Sequence, residues 1–282
     1  MRRVGIASFI TLTSVVSLAS GVGCASFATG DKPKTPPRLA AQPETDEREA
    51  VDVASAFQAT PEDAVVRVVT GQIACSGTLI APDLVLTAHH CVAMRTELGD
   101  FLPEDVPASE IRVELGGDFL AWGEVTVRDV VAPNCGHAAG PGDIAILILA
   151  RSVSDVPVRR PRLDDAPNAG EKVRPVGFGH CALSSGGIRR QLRLGGTISE
   201  VGGLRFQSKA AICPGDSGGP VFDQAGAIVG VISVSAMDAN AKTRERTEYT
   251  RLDKWREVFA YAQQLSRGGN RSELPPLEGC PE

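Results

Sequence analysis

Histidine is scarce in this sequence, and closely spaced cysteine pairs are missing. The 282-residue chain has four histidines, and none of its seven cysteines forms a C-x-x-C pair. Structural zinc sites usually take their ligands from such clusters, so no structural zinc site is expected. The net charge of −5, from 29 basic and 34 acidic residues, is small. This balance gives no reason to expect a nucleic acid partner.

Long hydrophobic runs are also scarce, and the only one stands at the N-terminus. Arg2 and Arg3 precede "VGIASFITLTSVVSLASGVG", a basic start and an apolar middle typical of an export signal. The run contains several Ser and Thr and lacks the purity of a membrane-spanning helix. We therefore predict that residues 1–23 are a signal peptide. The mature protein is expected to be exported, either anchored in a bacterial cell envelope or secreted.

The export signal ends in "SGVGC", where small residues precede Cys24. This ending resembles the lipobox of bacterial lipoproteins, which implies lipidation of Cys24 and a lipid anchor in a membrane. Gly21 stands where that motif usually has a large aliphatic residue. The alternative is ordinary signal cleavage a few residues later, after Ala25 or Ala28.

The rest of the chain divides into a tether, one large domain and a short tail. Residues 24–60 are rich in Pro, Thr, Ala and charge, which predicts a flexible tether. From Ala64–Val69 onward, short β-branched runs alternate with turn residues, which indicates an all-β sandwich or pair of barrels. Leu252–Leu265 has the period of an amphipathic helix. We assign 61–265 to the domain and 266–282 to a C-terminal tail.

The segment "CPGDSGGP", residues 213–220, places a serine inside a glycine-rich turn. A serine hydroxyl is a poor nucleophile unless an imidazole takes its proton and a carboxylate orients that imidazole. The candidate bases are His89 and His90 in "LTAHHC", and His137 and His180 in loops. Each residue alone has an ordinary structural interpretation, so the prediction depends on their occurring together.

Four segments resemble chymotrypsin-like (trypsin-fold) serine proteases over residues 61–262. They are "CSGTLIAPDLVLTAHHC", "GDIAILIL", "CPGDSGGPV" and "YTRLDKWREVF", in the family's His, Asp, Ser order. The resemblance implies an all-β fold of two six-stranded antiparallel β-barrels with a C-terminal α-helix. It also implies a serine endopeptidase that acts on proteins or peptides through an acyl-enzyme, without metal or organic cofactor.

The resemblance assigns each catalytic role to a position in this chain. His90 would be the base, Asp143 the orienting acid and Ser217 the nucleophile. The backbone N–H groups of Gly215 and Ser217 would be the oxyanion donors. His89 departs from the family, which usually has a small residue at that place. His137 and His180 match no motif and are expected to be loop residues.

The same resemblance suggests how six of the cysteines pair. Cys75 and Cys91 match the family's disulfide beside the catalytic histidine. The usual partner of Cys213 is missing downstream, and Cys181 is the nearest replacement. That pairing leaves Cys135 with Cys280.

The resemblance also locates the pocket for the substrate side chain before the scissile bond. Ala211 stands where trypsin-like enzymes have the aspartate that pairs with Arg or Lys. Ser233, Val234 and Ser235 replace the usual Ser-Trp-Gly wall. A buried cation would lack its partner here, so we expect a small or medium apolar residue rather than Arg or Lys.

Two questions stay open at this point. In many relatives Asp216 pairs with a new N-terminal amine, but residues 47–52 offer no matching start, so either cleavage near 48–51 or a constitutively formed site is possible. A catalytically silent binding protein and an enzyme with mainly esterase-like activity are the rival functions. The protein is expected to be a monomer.

Overall fold

The computed structural model describes residues 59–71, 73–116, 121–180, 188–237 and 244–277. The predicted signal peptide, nearly all of the tether, residues 47–52, Cys24, Cys181 and Cys280 lie outside these ranges, so the expectations about them stay predictions. Within the described ranges no helix is long and apolar enough to cross a membrane.

The described chain contains fifteen β-strands and one α-helix. The strands are β1 Val65–Thr70, β2 Ile73–Ala81, β3 Leu84–Thr87, β4 Ala93–Arg95, β5 Phe101–Asp105, β6 Ile111–Leu115, β7 Gly123–Val131, β8 Ala145–Leu149, β9 Arg174–Gly177, β10 Gln191–Leu192, β11 Ile198–Val201, β12 Arg205–Ser208, β13 Pro220–Phe222, β14 Ile228–Met237 and β15 Arg244–Arg251. The helix is α1 Arg256–Ser266. Short 3-10 turns cover Pro61–Ala64, His89–Cys91, Ala108–Glu110 and Arg271–Glu273.

The first half of the domain is a closed antiparallel barrel with the strand order β1-β2-β3-β8-β7-β6. The predicted hairpin around "APD" is confirmed, because β2 ends at Ala81 and β3 begins at Leu84. Strand β8 reads Ala-Ile-Leu-Ile-Leu and is buried throughout. Closure leaves no free sheet edge, and the β-branched and Leu side chains fill the interior.

The second half is a seven-stranded antiparallel sheet, β10-β9-β13-β14-β15-β12-β11, rather than the predicted closed six-stranded barrel. Strands β10 and β11 follow each other in the chain but lie at opposite edges. A bridge between Lys172 and Thr197 links the residues before β9 to those before β11. The sheet therefore curls towards closure without a continuous ladder of hydrogen bonds, and the all-β fold is confirmed with a half-barrel as its second part.

The C-terminal helix is confirmed, but it begins later than predicted. Leu252–Trp255 forms a turn in which the Trp255 N–H donates to the Leu252 carbonyl at 3.0 Å, and α1 starts at Arg256. The apolar face of α1 is buried through Val258, Phe259 and Ala262. It contacts β7 and β8, so the helix that follows the second half of the domain packs against the first barrel.

Candidate active site

His90 and Asp143 meet at one edge of the first barrel. Strands β3 and β8 are antiparallel neighbours, with Thr87 opposite Ala145. The residues that follow β3 and those that precede β8 must therefore lie at the same edge. His90 sits in the 3-10 turn after β3, and its Nδ1 lies 2.8 Å from Asp143 Oδ2. The His90 backbone N–H also donates to Asp143 Oδ1 at 3.0 Å.

The Asp143 carboxyl group is fully buried and surrounded by donors. Burial raises the pKa of this group. The positive charge of His90 and hydrogen bonds from His90 and Ser233 lower the pKa by more than burial raises it, so the pKa lies below its usual range. The Ser233 hydroxyl donates to Asp143 Oδ2, and the Thr250 hydroxyl donates to the Asp143 carbonyl at 2.9 Å. These contacts favour the ionised form of the Asp143 carboxyl group and hold the His90 ring in one orientation.

Ser217 is brought to this pair from the second half of the domain by the loop before β13. The Ser217 carbonyl accepts from the Ser76 N–H of β2 at 2.8 Å. The next residue, Gly218, has φ +80° and lies against Thr87 and Ala88, just before the histidines. Ser217 is half-buried, and its hydroxyl makes no hydrogen bond to His90 Nε2, both groups being in the described ranges. Catalytic hydrogen bonds of this kind are often long until substrate binds.

The two expected oxyanion donors have fixed orientations. In a trans peptide the C=O and N–H groups point in opposite directions. The Pro214 carbonyl accepts from the His180 N–H at 3.0 Å, which aims the Gly215 N–H away from His180. The Asp216 carbonyl accepts from the Gly219 N–H at 2.9 Å, which aims the Ser217 N–H away from Gly219. Among the described residues neither N–H has an acceptor, so both are available to a developing oxyanion.

A cleft of about 190 Å³ adjoins Gly215. Cys75 of the first half and Phe178 of the second form part of its lining, together with Pro214 of the nucleophile loop. The Arg67 guanidinium lies 5.8 Å from the centre of the Phe178 ring. A substrate whose carbonyl occupied the oxyanion donors would therefore have a mainly apolar cleft beside it.

Asp216 is completely buried and pairs with an arginine of its own chain. Its Oδ2 lies 2.8 Å from Arg193 Nε, and its Oδ1 accepts from Arg193 Nη2 at 2.9 Å. The N–H groups of Gly179 and Cys213 donate to the same carboxylate at 2.8 and 2.7 Å. A guanidinium that donates to one carboxylate oxygen and lies within ion-pair distance of the other, together with two backbone donors, gives a buried carboxylate both a cation and hydrogen bonds. Asp216 therefore has a cationic partner without a new N-terminal amine.

The disulfides are described in part. Cys75 and Cys91 form a disulfide that closes a span of 16 residues directly beside His90. Cys135 and Cys213 each take part in a disulfide as well. Their predicted partners, Cys280 and Cys181, lie outside the described residues, so those two pairings stay predictions.

The residues predicted to form the substrate pocket lie just before the nucleophile loop and on β14. Ala211 is exposed, its N–H donates to the Leu194 carbonyl at 3.1 Å, and Val234 is half-buried. Ser233 is buried against Asp143. Ser235 follows Val234 on β14, opposite Thr247 of β15. The Thr247 hydroxyl donates to the Ala210 carbonyl at 3.0 Å. Neither Ala211 nor Thr247 supplies a carboxylate to the predicted pocket.

His89, next to the expected base, has a structural partner of its own. It is 3% exposed, and its Nε2 lies 2.8 Å from Asp105 Oδ1 at the end of β5. Strands β4 and β5 form a hairpin, and Phe101 of this hairpin meets the His90 ring edge-on, with centroids 6.0 Å apart. His137 packs edge-on against His89 at 6.2 Å. His89 thus joins this hairpin to the segment that carries His90.

Sequence reasoning missed Arg193, Asp105 and Phe101. Each is distant in sequence from the residue it contacts, and none stands in a recognisable motif. The only signal was indirect: Asp216 needed a cation, and several arginines were present. No spacing rule connects position 193 to position 216, because the contact depends on how β10 lies beside the nucleophile loop.

One cluster in the described ranges has the spacing of metal ligands, namely Cys75, His90 and Cys91. Both sulfur atoms are already joined to each other, and a disulfide sulfur is not the thiolate that metals bind. This cluster therefore does not fit a metal ion.

Two antiparallel β-halves, with a buried His–Asp pair on one and a serine in a glycine-rich loop on the other, define the class of trypsin-fold serine proteases. The sequence profile of the Trypsin family matches residues 53–258. The chain belongs to the Trypsin family.

Its relatives include peptidases of very different size. The human "Peroxisomal leader peptide-processing protease" is 28% identical over 184 residues, which cover 63% of this chain but only 28% of the human protein. An "Uncharacterized peptidase" of Corynebacterium glutamicum (strain R) is 25% identical over 62% of this chain and 59% of its own length. The match thus spans less than two thirds of the length of each of these curated relatives.

Solved structures share the fold at low identity. A Glu endopeptidase in complex with MPD has a TM-score of 0.58 at 21% identity, covering 73% of this chain and 93% of that one. Neuropsin, a serine protease of mouse brain, has a TM-score of 0.56 at 18% identity, covering 73% and 97%. These two likenesses establish the architecture alone.

Gly218 gives a test of the contact between the two halves. An alanine Cβ at this position would lie 2.2 Å from Thr87 Oγ1 and 2.3 Å from the Ser76 carbonyl. Gly218→Ala is therefore expected to displace the nucleophile loop. The rate at which an alkyl fluorophosphonate labels Ser217 should then fall about tenfold or more. Gly71 also has a positive φ, +56°, but open space around it. Gly71→Ala should cost only about 1–2 kcal/mol of unfolding free energy and leave labelling unchanged. Equal labelling of the two variants would contradict this account.

Proposed function

We propose that this protein is a serine endopeptidase that hydrolyses peptide bonds through Ser217, His90 and Asp143. The observation that carries the proposal is the convergence of three parts: a buried His90–Asp143 pair, Ser217 on the adjoining loop, and two N–H groups oriented outward at Gly215 and Ser217. A silent relative would have no need to keep all three. The low pKa of Asp143 supports its role as the ionised partner of His90.

The proposed reaction proceeds in two halves. His90 Nε2 takes the Ser217 proton while Oγ attacks the scissile carbonyl carbon, and the carbonyl oxygen gains negative charge at the two N–H donors. His90 then gives that proton to the leaving amine, the C–N bond breaks and an acyl-enzyme remains. Water attacks the ester in the same way and releases the acid. Asp143 stays ionised throughout and stabilises the imidazolium.

Substrate choice follows from the pocket wall. Ala211 supplies no carboxylate, and Glu248, which lies opposite Val234 on β15, is held by Arg205 at 2.6 Å and Arg246 at 3.0 Å. An arginine or lysine side chain entering the pocket would lose water without gaining a partner. We expect peptides with a small or medium apolar residue before the scissile bond to be preferred.

The site is proposed to be constitutively formed. The Arg193–Asp216 pair supplies the charge that cleavage near residues 48–51 would otherwise have to bring. The proposal extends to an exported monomer that is anchored through lipid at Cys24 or secreted. Protein or peptide substrates would then be met outside the cytoplasm.

Labelling with an alkyl fluorophosphonate tests the proposed function. The Ser217 Oγ–P bond forms, the P–F bond breaks, fluoride leaves and the proton passes to His90. The expected result is stoichiometric labelling of the uncleaved chain, mapped by mass spectrometry to Ser217. The heat-denatured chain and Ser217→Ala serve as controls and should take up no label.

Within the described ranges Ser217 makes no hydrogen bond to His90, and this favours one rival, a catalytically silent binding protein on the same fold. A folded wild-type chain that takes up no label would overturn the endopeptidase proposal in favour of this rival. A chain that is labelled and cleaves p-nitrophenyl acetate but not casein would point to an esterase-like enzyme instead.

A further inference from the structure

Ser76 is a buried residue of β2 to which the sequence assigned no role. It follows Cys75 of the disulfide and is 0% exposed. Its position is the place where the first barrel touches the loop that carries Ser217. A serine buried at such a junction is expected to have specific hydrogen-bond partners, because an unsatisfied buried hydroxyl is costly.

The Ser76 hydroxyl connects two backbone groups of the second half. It donates to the Gly215 carbonyl at 2.8 Å and accepts from the Phe178 N–H at 2.9 Å. A hydroxyl has one proton to donate. Because the Ser76 oxygen already accepts from the Phe178 N–H, its own proton points to the Gly215 carbonyl. The orientation of the hydroxyl is therefore determined from both ends.

The backbone of Ser76 holds the same loop a second time. Its N–H donates to the Ser217 carbonyl at 2.8 Å, and its carbonyl accepts from the Thr87 hydroxyl at 2.8 Å. Ser76 thus holds the carbonyls of Gly215 and Ser217, the two residues whose N–H groups are the expected oxyanion donors.

The hydroxyl matters most at Gly215 because glycine permits many backbone conformations. Gly215 has φ +96°, a region that other residues rarely adopt. The peptide after it is held at both ends, since its carbonyl binds Ser76 and its N–H, from Asp216, donates to the Cys213 carbonyl at 3.0 Å. Without the hydroxyl, the Gly215 carbonyl would lose this partner, and only the Asp216 N–H would still hold the peptide that follows Gly215.

From these contacts we infer that Ser76 is a positioning residue for oxyanion stabilisation, acting from the first barrel on the Gly215 N–H. The inference rests on the proposed function, and it adds a residue that neither attacks nor transfers a proton. Removal of its hydroxyl should weaken the stabilisation of the transition state while leaving the His90–Asp143 pair intact.

The test compares Ser76→Ala with Thr78→Val in the full chain. Thr78 lies two residues along the same strand, is also 0% exposed, and its hydroxyl has no hydrogen-bond partner in the described residues. For Ser76→Ala the rate constant of fluorophosphonate labelling should fall about 10- to 100-fold, because the phosphoryl oxygen occupies the oxyanion donors. Protection by phenylboronic acid, whose boron becomes tetrahedral when Ser217 Oγ adds to it, should weaken by a similar factor. Thr78→Val should stay within about twofold of wild type in both.

Both rates are expressed per folded molecule, with the folded fraction taken from urea unfolding of each variant. Loss of stability alone would lower the folded fraction but leave the boronic acid affinity of the folded molecules unchanged. Wild-type rate and affinity in folded Ser76→Ala would overturn this inference and leave the endopeptidase proposal standing. An unlabelled wild-type chain would overturn both.

Discussion

Asp143→Asn is expected to lower kcat by about 10⁴-fold, the size of effect seen when a triad carboxylate becomes an amide. Asp143 Oδ1 accepts from the His90 N–H, and Oδ2 accepts from His90 Nδ1 and Ser233. An asparagine that kept its oxygen towards the His90 N–H would turn its NH₂ group towards Nδ1. Nδ1 would then have to accept, the imidazole proton would move to Nε2, and Nε2 could not take the Ser217 proton.

Turnover of a chromogenic apolar peptide, measured per folded molecule, checks this prediction. Asp129→Asn is the matched control, because Asp129 is a partly exposed carboxylate that pairs with Arg271 at 2.6 Å on the surface. Its kcat should stay within about twofold of wild type, as expected for a surface ion pair. A kcat for folded Asp143→Asn within tenfold of wild type would remove Asp143 from the proposed mechanism.

Arg193→Ala is the second variant with a large expected effect. It leaves the fully buried Asp216 carboxylate with backbone donors but no cation. Loss of one partner of a buried ion pair typically costs about 3–5 kcal/mol of unfolding free energy. Asp216 immediately precedes Ser217, so the nucleophile loop should rearrange and fluorophosphonate labelling of the folded molecules should be lost.

Arg190→Ala is the control for this effect. Arg190 also forms a partly buried ion pair, with Asp63 at 2.8 Å, but at the start of the domain rather than at the nucleophile loop. It should lower stability while the folded molecules still label. The double variant Arg193→Ala/Asp216→Ala should recover part of the stability lost in Arg193→Ala, because no charge is left buried alone. Normal labelling of folded Arg193→Ala would contradict the role given to Arg193. Labelling of wild type only after cleavage near residues 48–51 would contradict a constitutively formed site.

Sequence patterns predicted the elements whose signals are local. The β2–β3 hairpin around "APD" and the late helix follow from turn chemistry and apolar period, and both are present. The predicted helix began at Leu252, four residues before α1. Leu252 and Trp255 lie in a turn and are both buried, and their spacing of three residues matches the helical period. The second half was expected to close as six strands, yet β10 and β11 are opposite edge strands, and one bridge, between Lys172 before β9 and Thr197 before β11, is the link across the gap in the described residues.

The sequence by itself determined the family, through four motifs in a fixed order, and with it the residues His90, Asp143 and Ser217 as candidates. Local motifs can do this because each holds its own turn and strand chemistry within a few residues. Only the tertiary structure decided that Arg193 pairs with Asp216 and that Ser76 holds Gly215. Those contacts join residues 23 and 139 positions apart, and their existence depends on how the two halves pack. A hydrogen bond or an ion pair depends on distance in space, which no spacing along the chain specifies.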